Sequence, residues 1–156
     1  MDFRIRGLDY QLFAPLFALS DDALRANGSV RRITSSGSTS PCRVSLRYAA
    51  PGETVILTSF MHLADSGSPY RSLGPIFVRQ DAGPTFDCVN EIPSMLQTWP
   101  LSLRAYDRRN MIVAAEVTTG DALPDVIGRL FGRDDVAILH VHHAAYGCFQ
   151  CRVERA

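Results

Sequence analysis

Apolar residues recur at helical spacing in two places, Leu12, Phe13, Leu16 and Phe17 around Pro15, and Leu123, Val126, Ile127, Leu130 and Phe131. Each spacing predicts a helix with one buried face. Ser20 ahead of Asp21 and Asp22 predicts a further helix start, and Gly28 its end. For the longest helix, Asp121 offers a cap, Pro124 a first turn and Gly132 a stop. Alternation predicts strands at Phe3–Arg6, Cys42–Tyr48 and in the pair from Val136 onwards, a long apolar run predicts one at Thr54–His62, and shorter strands are expected at Val30–Thr34, Ile76–Arg79, Leu101–Tyr106 and Met111–Thr118. Pro51-Gly52 turns Cys42–Tyr48 back onto Thr54–His62 as a first hairpin, and Asp107-Arg108-Arg109-Asn110 closes a second. Asp81 to Pro100 reads as irregular, with one helical turn near Met95. Strands outnumber helices and come as hairpins. The fold class expected is α+β, an antiparallel or mixed β-sheet built from hairpins and covered by two or three short helices. The 156 residues show neither repeats nor a linker, so residues 1–156 read as a single domain.

The last strand pair holds the most chemistry. In Ala137-Ile138-Leu139-His140-Val141-His142 the alternation puts His140 and His142 on one face and three apolar residues on the other. If both faces are buried the strand is central. With Ala144-Ala145-Tyr146-Gly147 as a four-residue loop, His142 faces Phe149 and His140 faces Cys151. That register gathers His140, His142 and Cys151, and leaves Cys148 on the far side; a one-residue slip would instead bring Cys148, Gln150 and Arg152 to that face. Two imidazoles at i and i+2 can share one Zn²⁺, which takes three or four nitrogen or sulfur ligands. The metal candidates are therefore His140, His142, Cys148 and Cys151, with both cysteines able to bind only across a bend or bulge.

Other side chains suit an anion. Ser68-Pro69-Tyr70-Arg71 follows His62 and combines a guanidinium fork, a phenol and an imidazole. Arg43, Arg104 and Arg152 lie in strands whose opposite faces are apolar, so they could form a basic patch on one sheet face. Cys88 and Trp99 read as packing residues.

Composition narrows the field. Sixteen basic and sixteen acidic residues balance to a net charge of zero, which removes the basic excess expected of a nucleic-acid binder. Every basic residue is Arg. With no Lys there is no Schiff base and no P-loop lysine. No stretch approaches a membrane helix, and Met1-Asp2-Phe3-Arg4-Ile5-Arg6 lacks the apolar run of a signal peptide. A cytoplasmic protein with reduced thiols is expected.

Several motifs together carry a family resemblance. They are Phe3-Arg4-Ile5-Arg6-Gly7-Leu8-Asp9, Pro41-Cys42-Arg43-Val44-Ser45-Leu46, Pro51-Gly52-Glu53, Ser68-Pro69-Tyr70-Arg71, Gly74-Pro75-Ile76-Phe77-Val78, Leu101-Ser102-Leu103-Arg104-Ala105-Tyr106-Asp107, and His140-Val141-His142 with Gly147-Cys148-Phe149-Gln150-Cys151-Arg152-Val153. In combination the chain resembles the bacterial domain-of-unknown-function 1203 family. The resemblance implies a bacterial origin and that His62, Tyr70, Arg71, Arg104, His140, Cys148, Cys151 and Arg152 sit in the family's shared motifs, which favours a pocket among them. It implies no reaction.

Two functions are expected from these readings. One is a small-molecule site, binding or enzymatic, for a compact anionic ligand held by Arg43, His62, Tyr70, Arg71, Arg104, His140, His142 and Arg152. The other is a zinc-stabilised structural or partner-binding module using His140, His142 and Cys151.

Overall fold

The computed structural model describes residues 1–156. Nine strands form two sheets. The larger is six-stranded, in the order β5 (Asp87–Val89), β1 (Phe3–Arg6), β9 (Phe149–Arg155), β8 (Ile138–His143), β6 (Leu101–Tyr106), β7 (Ile112–Thr118). The smaller has β3 (Thr54–Leu63) between β2 (Val30–Ile33) and β4 (Ser72–Arg79). Every pairing of named strands is antiparallel. Three short helices complete the fold, α1 (Ala14–Phe17), α2 (Asp21–Ala26) and α3 (Leu123–Phe131). The α+β architecture expected from the hairpin pattern is the one observed. No helix is long and apolar enough to cross a membrane.

The main core lies on one face of the larger sheet. Leu123, Val126, Ile127, Leu130 and Phe131 of α3 pack against Phe3, Ile5, Leu103, Leu139, Val141 and Val153. A nine-residue helix is marginal alone. Burying five such side chains at about 2 kcal/mol each stabilises it here. Its cap differs from expectation, since Ala122 and not Asp121 occupies the N-cap, with no side-chain hydrogen bond, while Pro124 lies in the first turn as expected. A second core of Phe13, Cys42, Val44, Ile76, Val78 and Ala82 sits under the smaller sheet.

Cys42–Tyr48 corrects the expected first hairpin. It is a looped segment, not a strand, with an isolated bridge from Pro41 to Tyr48 closing the loop and another from Cys42 to Phe77 on β4. The Cys42 N–H returns to the Arg47 carbonyl at 2.9 Å, and Leu46 adopts a φ of 48°, a left-handed conformation that ends any strand. β3 therefore pairs with β2 and β4. The loop instead staples the two sheets. The Arg43 N–H donates to Phe77 of β4, its carbonyl accepts from Leu8 just beyond β1, and its Nε donates to the Phe149 carbonyl on β9.

Glu53 anchors the other end of this loop. It accepts a forked pair of bonds from buried Arg79 at 2.9 and 2.6 Å, a second pair from Arg47 at 3.0 and 3.3 Å and one from the Ala50 N–H at 2.6 Å. Burial acts to raise its carboxyl, but the bonds from Arg79, Ala50 and Arg47 outweigh that and hold it at about 2. Removing one partner of a fully buried pair costs ~3–5 kcal/mol. Glu53 is 28% exposed, so Glu53→Gln should cost less, about 2 kcal/mol. The folded value lies below the ordinary 4.5. The carboxylate's contribution is therefore complete above pH 4.5 and disappears as pH falls towards 2. Urea unfolding of both proteins across that window should show their stability difference shrinking. A difference independent of pH would mean that Glu53 acts through shape alone.

Candidate functional site

Two strands, one from each sheet, bring His62, His140 and His142 together. His140 and His142 project from β8, the central strand of the larger sheet, opposite the face that carries Leu139 and Val141 into the core. His62 comes from β3 of the other sheet, at a bulge where the pairing jumps from Met61 to Leu63. A bulge re-aims one side chain without breaking the sheet, and here the residue it frees is the histidine. One ring nitrogen from each of the three lies within 4.8 Å of the others. The His62 ring stands 5.0 Å from that of His142 and 5.7 Å from that of His140.

Each ring holds a buried nitrogen with no partner: Nδ1 of His62, Nδ1 of His140 and Nε2 of His142. For His142 the tautomer follows from its neighbour. Its Nδ1 lies 2.9 Å from the Gly147 carbonyl oxygen, which can only accept, so Nδ1 carries the proton and Nε2 a free lone pair. All three rings are neutral at pH 7. Burial pushes His62 down to about 4, helped by the Arg104 charge. Burial, His142, His62 and the Arg152 and Arg104 charges take His140 to about 3. Burial takes His142 to about 4 against the opposing bond to Gly147. Neutral imidazoles so clustered have the chemistry to hold a metal ion.

The walls are aromatic and cationic. The Phe149 ring stacks on His62 with centroids 5.1 Å apart and planes 1° from parallel. Buried Tyr106 lies 4.9 Å from the His140 ring. Burial raises the Tyr106 phenol, while the charge and hydrogen bond of Arg104 oppose the rise. Arg104 on β6 and Arg152 on β9 are the direct cross-strand neighbours of His140, and Arg6 on β1 is the neighbour of Arg152. Arg6, Arg152, His140 and Arg104 thus form one row across the sheet. Arg6 pairs with Asp87 and Arg152 with Glu154. Arg104 has no carboxylate partner.

The structure divides the expected site residues. His62, Arg104, His140, His142 and Arg152 come together. Tyr70 lies near Tyr106, in a loop pinned to the β6–β7 turn where the Ser68 hydroxyl donates to the Asn110 carbonyl at 2.7 Å. Arg71 is exposed and makes no ion pair, so nothing ties it to the histidines. Arg43 does not join the basic sheet face, because its guanidinium is buried against the Phe149 and Pro41 carbonyls. Cys148 and Cys151 do not join the histidines. His142 faces Phe149 as expected, but a bulge follows on β9, so Val141 faces Cys151 and His140 faces Arg152. Gln150 is the extra residue. The shift sends Cys151 into the main core, where burial pushes its thiol up to about 12. Its side chain therefore lies on the core face of the sheet, away from the three imidazoles. Cys151→Val should keep stability within about 1.5 kcal/mol of the parent. A melting curve checks this, and a larger loss would mean that the thiol makes a specific contact in the core.

Tyr106 and Arg6 escaped the sequence reading. Tyr106 shares period two with Ser102 and Arg104, so alternation along β6 could have found it. Arg6 carried no local signal, because its neighbour Arg152 stands at the other end of the chain.

Against known families, residues 39–155 match the model described as "Protein of unknown function (DUF1203)". The chain belongs to the DUF1203 family. No curated protein and no solved structure matches it. The matched span holds His62, Arg104, Tyr106, His140, His142 and Arg152. It leaves out β1, so in this DUF1203 member the Arg6 end of the cationic row lies beyond the matched residues.

Proposed function

We propose that the protein is a metal-dependent small-molecule protein in which His62, His140 and His142 hold one transition ion of the zinc class, and a compact anion binds at the open position beside Arg104. The observation that carries this reading is the set of three buried ring nitrogens, one from each histidine, without a hydrogen-bond partner. An orphaned buried polar atom costs ~1–3 kcal/mol, and three in one spot ask for a common partner. Tetrahedral zinc with bonds of ~2.1 Å sets its nitrogens about 3.4 Å apart. Small ring rotations bring a cluster within 4.8 Å to that spacing. Three protein ligands leave a fourth position open, the arrangement of metal sites that act on a ligand instead of merely closing a fold. An ion so held would supply Lewis acidity there. The unpaired Arg104 supports an anion as that ligand, through charge and a planar fork of donors. Four free thiols and an all-Arg basic set support placing the protein in a bacterial cytoplasm.

The test is elemental analysis of protein purified without a histidine tag, then cobalt substitution of the stripped protein. About one transition ion per chain is expected, with visible cobalt bands that change on adding phosphate or acetate. Fewer than about 0.2 ions per chain after zinc loading would sink the metal reading. Arg104→Met should keep the ion while weakening the anion's effect on the cobalt spectrum at least tenfold, the order expected from losing a charge-assisted bond. An unchanged anion response would remove Arg104 from the site.

A further inference from the structure

The junction of the two sheets encloses a cavity of about 640 Å³ that the histidine centre does not use. Its volume is that of a small-molecule site. Its walls are largely aromatic and aliphatic, with Tyr48, Phe77 and Trp99 among them, and no Asp or Glu lines it. Arg43, 2% exposed, also lines it. A guanidinium has five N–H donors. The protein supplies Arg43 with two acceptors, the carbonyls of Phe149 and Pro41, and no carboxylate. A buried cation without a counterion is costly unless something neutralises it, and here the side open to a partner is the cavity.

Two more donors lie on the same wall. Buried Gln150 lines the cavity, and its Nε2 gives one N–H to the Cys148 carbonyl at 3.0 Å, which leaves a second N–H. His143 accepts the N–H groups of Ala145 and Tyr146 on Nδ1, both at 3.2 Å, which leaves its proton on Nε2 as a donor. Aromatic walls together with an unneutralised guanidinium and neutral donors select a flat apolar body bearing one negative group. We infer that this cavity is a second ligand site, for an aromatic carboxylate whose carboxylate pairs with Arg43 and whose ring lies against Trp99 and Tyr48. It stands independently of the metal centre, although Phe149 touches both, giving its ring to His62 and its carbonyl to Arg43.

Calorimetric titration of metal-stripped protein with 2-naphthoate and its neutral isostere 2-naphthamide tests the inference. Stripping the metal removes coordination at the histidines as a source of carboxylate affinity, so the outcome does not depend on the metal reading. The chain has a single tryptophan, so its one indole N–H resonance reports where the ligand sits. The naphthoate should bind with a Kd below about 100 μM and at least tenfold tighter than the amide, the preference expected of a charge-assisted bond. The Trp99 resonance should move with the same Kd. Equal affinities, no heat from either compound, or heat with a motionless Trp99 resonance would each overturn it. Arg43→Met should reduce naphthoate binding to the level of the amide. Should that variant not fold, the charged and neutral pair on the wild-type protein still decides.

Discussion

His140→Phe is expected to stabilise the metal-free protein while abolishing its response to zinc. The His140 ring is 98% buried by residue exposure, with Nδ1 unpartnered. Its ring neighbours are aromatic, Tyr106 at 4.9 Å and Phe149 at 5.1 Å. Phenyl has nearly the same outline and no orphaned nitrogen. Removing a desolvation cost of ~1–3 kcal/mol, less some overpacking, leaves a gain of about 1 kcal/mol. Zinc at a hundredfold excess over its Kd stabilises a folded protein by about 2.7 kcal/mol. For a chain of this length that is a melting shift of about 8 °C. The wild type should show this shift after chelator treatment and reloading, and the variant should not. A variant that is both less stable without metal and equally responsive to zinc would mean that His140 is an ordinary core residue. A side chain whose removal stabilises the fold is one retained for another reason.

Gly7→Ala should cost about 3 kcal/mol, near 10 °C in melting temperature, although it adds a single methyl group. A Cβ at Gly7 would run into the Val44 carbonyl and crowd that of Arg43. Both belong to backbone that is already committed. The Gly7 N–H donates to Phe86, the Phe86 N–H to Val44, and the Leu8 N–H to Arg43 at 2.7 Å. No rotamer change relieves a collision with main chain, so the Cys42–Tyr48 loop must move and take with it the bond from Arg43 to Phe149. Gly128→Ala is the control. A Cβ there meets nothing within 4 Å and sits inside α3. It should stabilise by about 0.5–1 kcal/mol through helix propensity alone. Two glycine-to-alanine changes with opposite signs can be read from paired melting curves. Equal effects would remove the close approach at Gly7 as a cause.

Most of the fold was legible. Period two located β1 and β8, a long apolar run located β3, and period 3.6 located α3, because each of these patterns is written locally in the chain. The Cys42–Tyr48 segment alternates equally well and is not a strand. Its alternation places Val44 in the second core and Leu46 in the main one, and the same pattern serves a loop wedged between two sheets. β5 had no legible signal, being three residues of an edge strand held by β1 alone.

The sequence by itself determined that His140 and His142 share a face, since strand geometry allows nothing else over two residues. It also determined that the opposite face of β8 is core. Which residues join those histidines was decided by tertiary structure. One bulge on β9 replaced Cys151 with Arg152 opposite His140, and another on β3 turned His62 in from the second sheet. A bulge adds one residue to one strand, and whether it forms depends on what the partner strands and the core accept, which is not written in local alternation. The same holds for Arg43 and Arg6, whose surroundings arise from contacts spanning most of the chain.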